Sequence, residues 1–516
     1  FLIAGPAQPF GTVSEVPDDG PGPNPLLQNH VLMAIHPPFL YGGYVGMTLP
    51  FGLALAALIT GRLSPTLLGT LRTSLLAPWS FLTVAIVLGG WWAYEVLGWG
   101  GYWAWDPVEN ASLLPWLTAT AALHSAILAE RRGVLKGWTM ILVIASFLLT
   151  VLGTFMTRSG IFNSVHSFTQ SAIGPTILVF LGIATVASLL LLAFRIDLLK
   201  PDAELDGGAS RDTAFLAQNL LFVLLTFTVL IGTVFPLIVE AARGVQMSVG
   251  RPYFDKMTVP IGALLLFVLG VGPALPWGAA TTEELKRRLL PPLGLGLVVA
   301  GLGFASGIRT PWTLITLLFA GYAAWVTLVE GLRPARIRMK ASGVSLAQAF
   351  SRDVFGPGLR RLSGYIAHAG MVMAFIAIAV SSTSQRSIER TLKQGESMSL
   401  GSYELTFEGI ESRQEAHRSS VIARIGVKRN GASIGAMRPM MNQYRTQRES
   451  IGTPDVRTGL LEDLYLSAMN IDPDTGTVGL LVLINPLVSW LWIATGVMAM
   501  GGVLALLASR RAGQAA

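Results

Sequence analysis

Gly174-Pro175-Thr176-Ile177-Leu178-Val179-Phe180-Leu181-Gly182-Ile183-Ala184-Thr185-Val186-Ala187-Ser188-Leu189-Leu190-Leu191-Leu192-Ala193-Phe194 contains no charged residue. As an α-helix it is about 30 Å long, the thickness of a bilayer's hydrocarbon core. It reads as a membrane span. Further apolar runs of comparable length lie near residues 39–60, 79–97, 112–130, 135–156, 215–238, 258–276, 291–308, 311–332, 363–381 and 484–508. With 52% hydrophobic and 13% charged residues among 516, the chain is too apolar to be water-soluble, since soluble domains carry about a quarter charged residues. The expected fold is an all-α polytopic membrane protein of about 11 transmembrane helices.

One stretch departs from this pattern. Residues 382–478 are polar and alternate as strands do, and Asn430-Gly431 marks a tight hairpin between Val421–Val427 and Ser433–Met437. A small β-rich extramembrane domain is predicted there. Charge orients the array: if the start and every second loop after it lie outside, Arg131, Arg132, Lys286, Arg287, Arg288, Arg333, Arg336, Arg338 and Lys340 all fall inside. The short outer loops keep only Arg158, Arg243, Arg251, Lys256 and Arg309. By the positive-inside rule the β-rich domain is extracytoplasmic and the C-terminus cytoplasmic. The chain thus divides into an outer segment (1–38), a helical bundle (39–381) with a Trp-rich outer loop (91–116), the β-rich domain (382–478), and a last helix with its tail (479–516). It opens Phe1-Leu2-Ile3 with neither Met nor a charged signal-peptide region, so we expect an N-terminally truncated chain.

Several function classes drop out. Zero cysteines excludes disulfides, thiolate metal sites, cysteine catalysis and covalent haem attachment to this chain. The +7 charge is spread over short loops rather than a basic tract, so topology explains it better than nucleic acid does. No Gly-rich phosphate loop supports nucleotide chemistry.

Any metal or cofactor must then rest on the six histidines, on methionine or on oxygen ligands. His124 lies in the span 112–130, about six residues or roughly 9 Å from its cytoplasmic end. His368 lies in the span 363–381, which runs the other way, about five residues from the same side. A single intramembrane histidine usually makes an interhelical hydrogen bond. Two at one depth on different helices favour bis-histidine ligation of a b-type haem. His36, held extended by Pro37 and Pro38, and His166, in the loop after the fourth span, share the outer surface. For those two, a solvated loop residue and a ligand fit equally. His30 and His417 lie in polar surroundings and are read as partnerless.

Trp91, Trp92, Trp99, Trp103, Trp105 and Trp116 gather six of the thirteen tryptophans into residues 91–116. Indoles collect at membrane interfaces in general, and Asp106, Pro107 and Glu109 have the pattern of a capped helix start. The crowding exceeds what a belt requires, and flat indoles beside two histidines suit an apolar porphyrin face. Arg158, eight residues ahead of His166, is a candidate partner for a haem propionate or an ordinary loop end.

The stretch Trp99-Gly100-Gly101-Tyr102-Trp103-Ala104-Trp105-Asp106-Pro107-Val108-Glu109-Asn110, continuing to Pro115-Trp116, resembles the WWD signature of membrane haem-handling proteins. Asn24-Pro25-Leu26-Leu27-Gln28, His36-Pro37-Pro38-Phe39-Leu40-Tyr41-Gly42-Gly43-Tyr44, and Arg158-Ser159-Gly160 with Ser164-Val165-His166 are similar to the CcmF family of cytochrome c maturation haem lyases. The resemblance covers essentially the whole chain, and the family's general pattern has additional spans ahead of this start. It implies a bacterial inner-membrane protein with the Trp-rich loop and the β-rich domain in the periplasm. It implies that His124 and His368 hold a transmembrane b haem, an electron source for incoming haem iron with quinol as a candidate donor. It implies that His36 and His166 ligate haem in transit from the chaperone CcmE, over a platform of Trp99, Trp103, Trp105, Asp106 and Trp116. It further implies attachment of that haem to apocytochrome c by thioether bonds, within a complex that includes CcmH and CcmI.

No residue reads as a nucleophile or a tuned general base, so catalysis would consist of orientation. Two alternatives remain: a nitrite-reductase-specific lyase paralogue, which would share every motif used here, and a haem export or transfer protein that loads the chaperone, which shares the Trp-rich loop. The latter's relatives are shorter and lack the late β-rich domain. A respiratory b-type cytochrome with two stacked haems would need about four intramembrane histidines.

Overall fold

The structure is a computed structural model that describes residues 5, 11, 30–161, 173–245, 247–278, 280–356, 358–445 and 450–514. Among these, eleven spans are long and apolar enough to cross a bilayer. The first is a bent pair, α1 (Leu32–Gly46) and α2 (Thr48–Thr60), joined at Met47. Then follow α3 (Pro65–Val96), α4 (Pro107–Arg132), α5 (Lys136–Arg158), α6 (Gly174–Phe194), α7 (Arg211–Arg243), α8 (Arg251–Ala274), α9 (Thr282–Ala305) and α10 (Pro311–Ser342). A short helix, α11 (Leu346–Phe355), leads into α12 (Leu359–Ser384), and α13 (Val488–Gln514) closes the chain.

Local chemistry sets the boundaries. Ser64 accepts a hydrogen bond from the Leu67 amide with Pro65 at the first helical position, which starts α3. Asp106 accepts from Val108 N at 2.8 Å while Glu109 accepts from Asp106 N at 3.1 Å, the reciprocal cap expected for α4. Gly133, with φ of 67°, stops that helix.

α4 is the most enclosed span and α6 the least. Around α4 the apolar contacts of Ala119, Ala121, Ala122 and Ala126 are supplemented by polar ties between helices. Ser146 donates to Thr118 at 2.9 Å, Asn219 to Ser125 at 2.7 Å, and Asn110 to Thr233 at 3.0 Å. Such bonds are modest glue in lipid, about 0.6 kcal/mol each. α12 meets α13 across small residues: a Cβ on Gly501 would come within 2.7 Å of the Ala367 amide nitrogen.

One expectation is corrected. The chain around His36 is not extended: α1 begins at Leu32 and carries His36, Pro37 and Pro38 inside it. The local preference of a pre-proline residue for extended backbone is overridden by packing on α3, where His36 Nδ1 bonds the Ala85 carbonyl at 2.9 Å.

The extramembrane domain is an antiparallel β-sandwich. Its strands are β1 (Arg386–Lys393), β2 (Ser397–Leu400), β3 (Tyr403–Gln414), β4 (Arg418–Arg429), β5 (Ala432–Met437), β6 (Met440–Tyr444), β7 (Ile451–Thr453), β8 (Asp455–Arg457), β9 (Glu462–Asp472) and β10 (Thr477–Pro486). One sheet has the order β1-β10-β9-β8; the other runs β2-β3-β4-β6-β7, with β5 also on β4. Leu392, Leu405, Phe407, Ile425, Leu466 and Val482 fill the space between them. Asn430 and Gly431, both at positive φ, make the β4–β5 turn that their dipeptide announced.

Candidate functional site

His124 on α4 and His368 on α12 are brought together: their ring centroids lie 6.1 Å apart with planes 26° from parallel. Two imidazoles on opposite sides of one metal, at bond lengths of about 2 Å, stand at roughly this separation. His124 Nδ1 lies 2.8 Å from the Thr120 carbonyl. A carbonyl only accepts, so Nδ1 carries the proton and Nε2 keeps its lone pair, as a ligand nitrogen requires. His368 Nδ1 is buried with no hydrogen-bond partner, a cost that a ligand would relieve. Both rings line a cavity of about 800 Å³ whose aromatic wall includes Phe215, Trp277 and Tyr365. Phe215 packs 5.9 Å from the His124 ring, and Tyr365 meets His368 edge-on at 6.3 Å. These donors and this wall fit a flat apolar group bearing a metal, which is what a haem is.

The same cavity is lined by charge that no sequence pattern pointed to. Arg72 and Arg360 both bond Glu130, at 2.7 and 2.9 Å. On the other side Arg333, Arg361 and Arg211 surround the buried Glu330 at 3.2, 3.3 and 3.8 Å. Arg211 also donates to the carbonyls of Leu275 and Pro273 at 2.6 Å and lies 5.2 Å from the Trp277 ring. The charged residues come from five separate helices, so only the fold assembles them.

At the other end of the bundle the Trp-rich residues divide. Trp105, at a positive φ of 59° that is costly for a bulky side chain, donates its indole N–H to Asp255 at 2.9 Å and stacks on Phe254 at 5.0 Å. Trp103 meets it edge-on at 5.9 Å. Trp99 is exposed. Trp116 is not with them: it sits nine residues into α4, stacked at 6.3 Å on Trp79 and donating to Thr83 at 2.8 Å. The Asp106 carboxylate is engaged in its helix cap. Arg158 donates to the Tyr41 hydroxyl at 2.8 Å, which sets it beside α1, the helix of His36. His166 lies outside the described residues.

Two histidines read as partnerless are not. His30 Nε2 lies 2.7 Å from Glu95, which also accepts from the Trp91 indole at 2.7 Å. His417 lies 3.9 Å from Glu415. Their acids are distant in sequence or across a turn, which composition of the neighbourhood does not reveal.

Behind the loop lies a buried polar seam to the β-sandwich. Tyr94 donates to Asp463 at 3.3 Å, and Asn485 donates to the Tyr94 hydroxyl at 2.9 Å and to the Gly100 carbonyl at 3.3 Å. Asp463 is fully buried. Burial raises its carboxyl above the ordinary range, against hydrogen bonds from the Gly459 amide, Tyr94 and Ser489. Gly100 presses so closely on β10 that a Cβ there would lie 1.8 Å from Leu483 Cδ1.

Residues 2–162 match a family described as cytochrome C assembly protein, and residues 383–484 match the CcmF C-terminal beta-sandwich. Over 517 residues the chain is 37% identical to the cytochrome c-type biogenesis protein CcmF of Pseudomonas aeruginosa, covering 99% of this chain and 76% of that one. This chain belongs to the CcmF family. The CcmF of Escherichia coli is 33% identical over 97% of this chain and 75% of its own length. A solved structure titled cytochrome c heme lyase CcmF superimposes with a TM-score of 0.76 at 32% identity, covering 93% of this chain and 72% of that one. The helical bundle with a C-terminal β-sandwich is thus the CcmF architecture. Membership places the chain in cytochrome c biogenesis and sets aside the respiratory b-type cytochrome.

Proposed function

We propose that this chain promotes attachment of haem to apocytochrome c, taking haem from the periplasmic chaperone CcmE at the Trp-rich end of the bundle. His124 and His368 would hold a separate b haem for electron supply to the incoming iron, with quinol as the candidate donor. The convergence of those two rings at 6.1 Å inside the bundle carries this reading. When bound, the b haem supplies one-electron chemistry. The chain's own residues do the rest.

The Thr120 carbonyl holds His124 in the tautomer that presents Nε2, and Phe215 and Tyr365 pack against the two rings. At the outer end, His36 is oriented by Ala85 and, with His166, would coordinate the delivered haem, while Trp99 and Trp103 cover its face. Attachment adds each cysteine S–H of the substrate across a haem vinyl, forming one C–S and one C–H bond with no net redox change. Nothing in the site has to act as an acid or base; holding two thiols against the porphyrin edge makes a bimolecular encounter nearly intramolecular. Those thiols belong to the substrate, which agrees with a chain that has none. CcmH and CcmI are the expected partners, and the Trp-rich loop and sandwich face the periplasm.

A reduced-minus-oxidised spectrum of the purified chain tests this reading. A stoichiometric b-type signal that disappears in His124→Ala and persists in His36→Ala is expected. A chain without such a signal would return both histidines to a structural role.

A further inference from the structure

The two arginine groups that line the His124–His368 cavity have more donors than their acids can satisfy. Each guanidinium offers five N–H bonds, and one carboxylate accepts about four. Arg72 and Arg360 share Glu130; Arg211, Arg333 and Arg361 share Glu330. Each group is left net positive, although Arg72 and Glu330 are buried. The buried Arg72 and Glu330 are paired, so the surplus positive charge sits on Arg360, Arg361 and Arg333, whose side chains are 34%, 45% and 44% exposed and open to a further anion. Two groups facing one cavity suit a ligand with one apolar plane and two carboxylates.

Arg360 and Arg361 are consecutive on α12, the helix that bears His368. They reach to opposite groups, Arg360 to Glu130 on α4 and Arg361 to Glu330 on α10. The ligand histidine and both anion groups are therefore fixed to one helix.

We propose that these groups are the carboxylate-binding end of the cavity, one taking each propionate of the haem held by His124 and His368. Glu130 and Glu330 are the fixed counter-charges that set that haem's reduction equilibrium. This rests on the bis-histidine reading above. Reduction lowers the charge of the iron porphyrin by one, so a nearby carboxylate favours the oxidised form and a nearby guanidinium the reduced form.

The test is redox titration of the full chain in phosphatidylcholine nanodiscs, with haem counted in the same samples. Glu130→Gln and Glu330→Gln should keep b haem and shift the reduced-to-oxidised ratio upward about tenfold, or about 59 mV for a one-electron couple. Arg360→Gln and Arg361→Gln should shift it downward or release the haem, and Arg360→Lys and Arg361→Lys should restore it. Reconstitution with haem dimethyl ester, which lacks the carboxylates, should be weaker than with haem in the wild type and equal to it in the Arg→Gln variants. Full haem with unchanged midpoints in both Glu→Gln variants overturns the proposal. Midpoints that respond only to added anionic phospholipid also overturn it, by assigning the groups to a lipid headgroup. Undiminished b haem in His124→Ala would instead overturn the bis-histidine reading, so the two failures are separable.

Discussion

Trp105 donates its indole N–H to Asp255 across 2.9 Å, which fastens the Trp-rich loop to the second turn of α8. The indole is a bolt as well as a surface, because its face is already taken by Phe254 at 5.0 Å. Trp105→Ala should therefore lower thermal stability by about 2–3 kcal/mol, below the cost of truncating a fully buried aromatic because Trp105 is half-buried. Trp105→Phe keeps the stack, loses one hydrogen bond and should cost about 1 kcal/mol. Unfolding of the purified protein followed by tryptophan fluorescence separates the two, and equal losses would deny the Asp255 bond any role.

Trp103 and Trp99 are the indoles with area to offer a porphyrin, since Trp103 is half-buried and Trp99 exposed. Replacing either by Ala should reduce co-purified chaperone haem while b haem and membrane insertion stay at wild-type levels. Parallel loss of both haems would make the loop a structural belt.

Gly100→Ala should be among the most damaging single changes outside the membrane. Its φ of 77° disfavours a side chain, and the new Cβ would run into Leu483. Gly98→Ala shares a positive φ of 76°, but its Cβ would meet only the Ser467 hydroxyl at 3.1 Å and the Gly452 carbonyl at 3.7 Å, so it should be milder. Protease susceptibility of the 98–105 segment ranks them, and the reverse order would contradict the docking of the loop on β10.

The buried Asp463 gives the seam a pH dependence. Its folded carboxyl binds a proton more tightly than the unfolded one, whose pKa is about 3.9. The folded state thus holds the extra proton between the two values. Stability is present below the unfolded value and declines as pH rises through the window above it. Asp463→Asn should flatten this slope. Thermal midpoints of both proteins across mildly acidic pH would show it, and parallel curves would locate the titration elsewhere.

Much of this was legible in the chain. Long charge-free runs such as 174–194 need no tertiary information to be read as spans, and Asn430-Gly431 specifies its hairpin by backbone preference alone. The His124–His368 pairing followed from counting turns from the helix ends. Other features were hidden because they depend on which helices become neighbours. Glu130 and Arg360 lie 230 residues apart, and Tyr94 and Asn485 lie 391 apart. His36 was misplaced because a local proline rule lost to packing against α3. Trp116 was grouped with the loop by proximity in sequence, whereas nine helical residues carry it about 14 Å away from the cap.

Gln385 alone separates α12 from β1, and Leu487 alone separates β10 from α13. β1 and β10 are themselves paired from Arg386 opposite Ile484 onward, so the two helices and the two strands form one continuous ladder from the intramembrane histidine to the sandwich core. The lengths of these junctions act as geometric constants. One residue inserted at position 385 would either swing His368 by about 100° around its helix axis or turn every β1 side chain to the wrong face. Functional versions of this protein should differ freely in their outer loops and hold these two junctions at a single residue each.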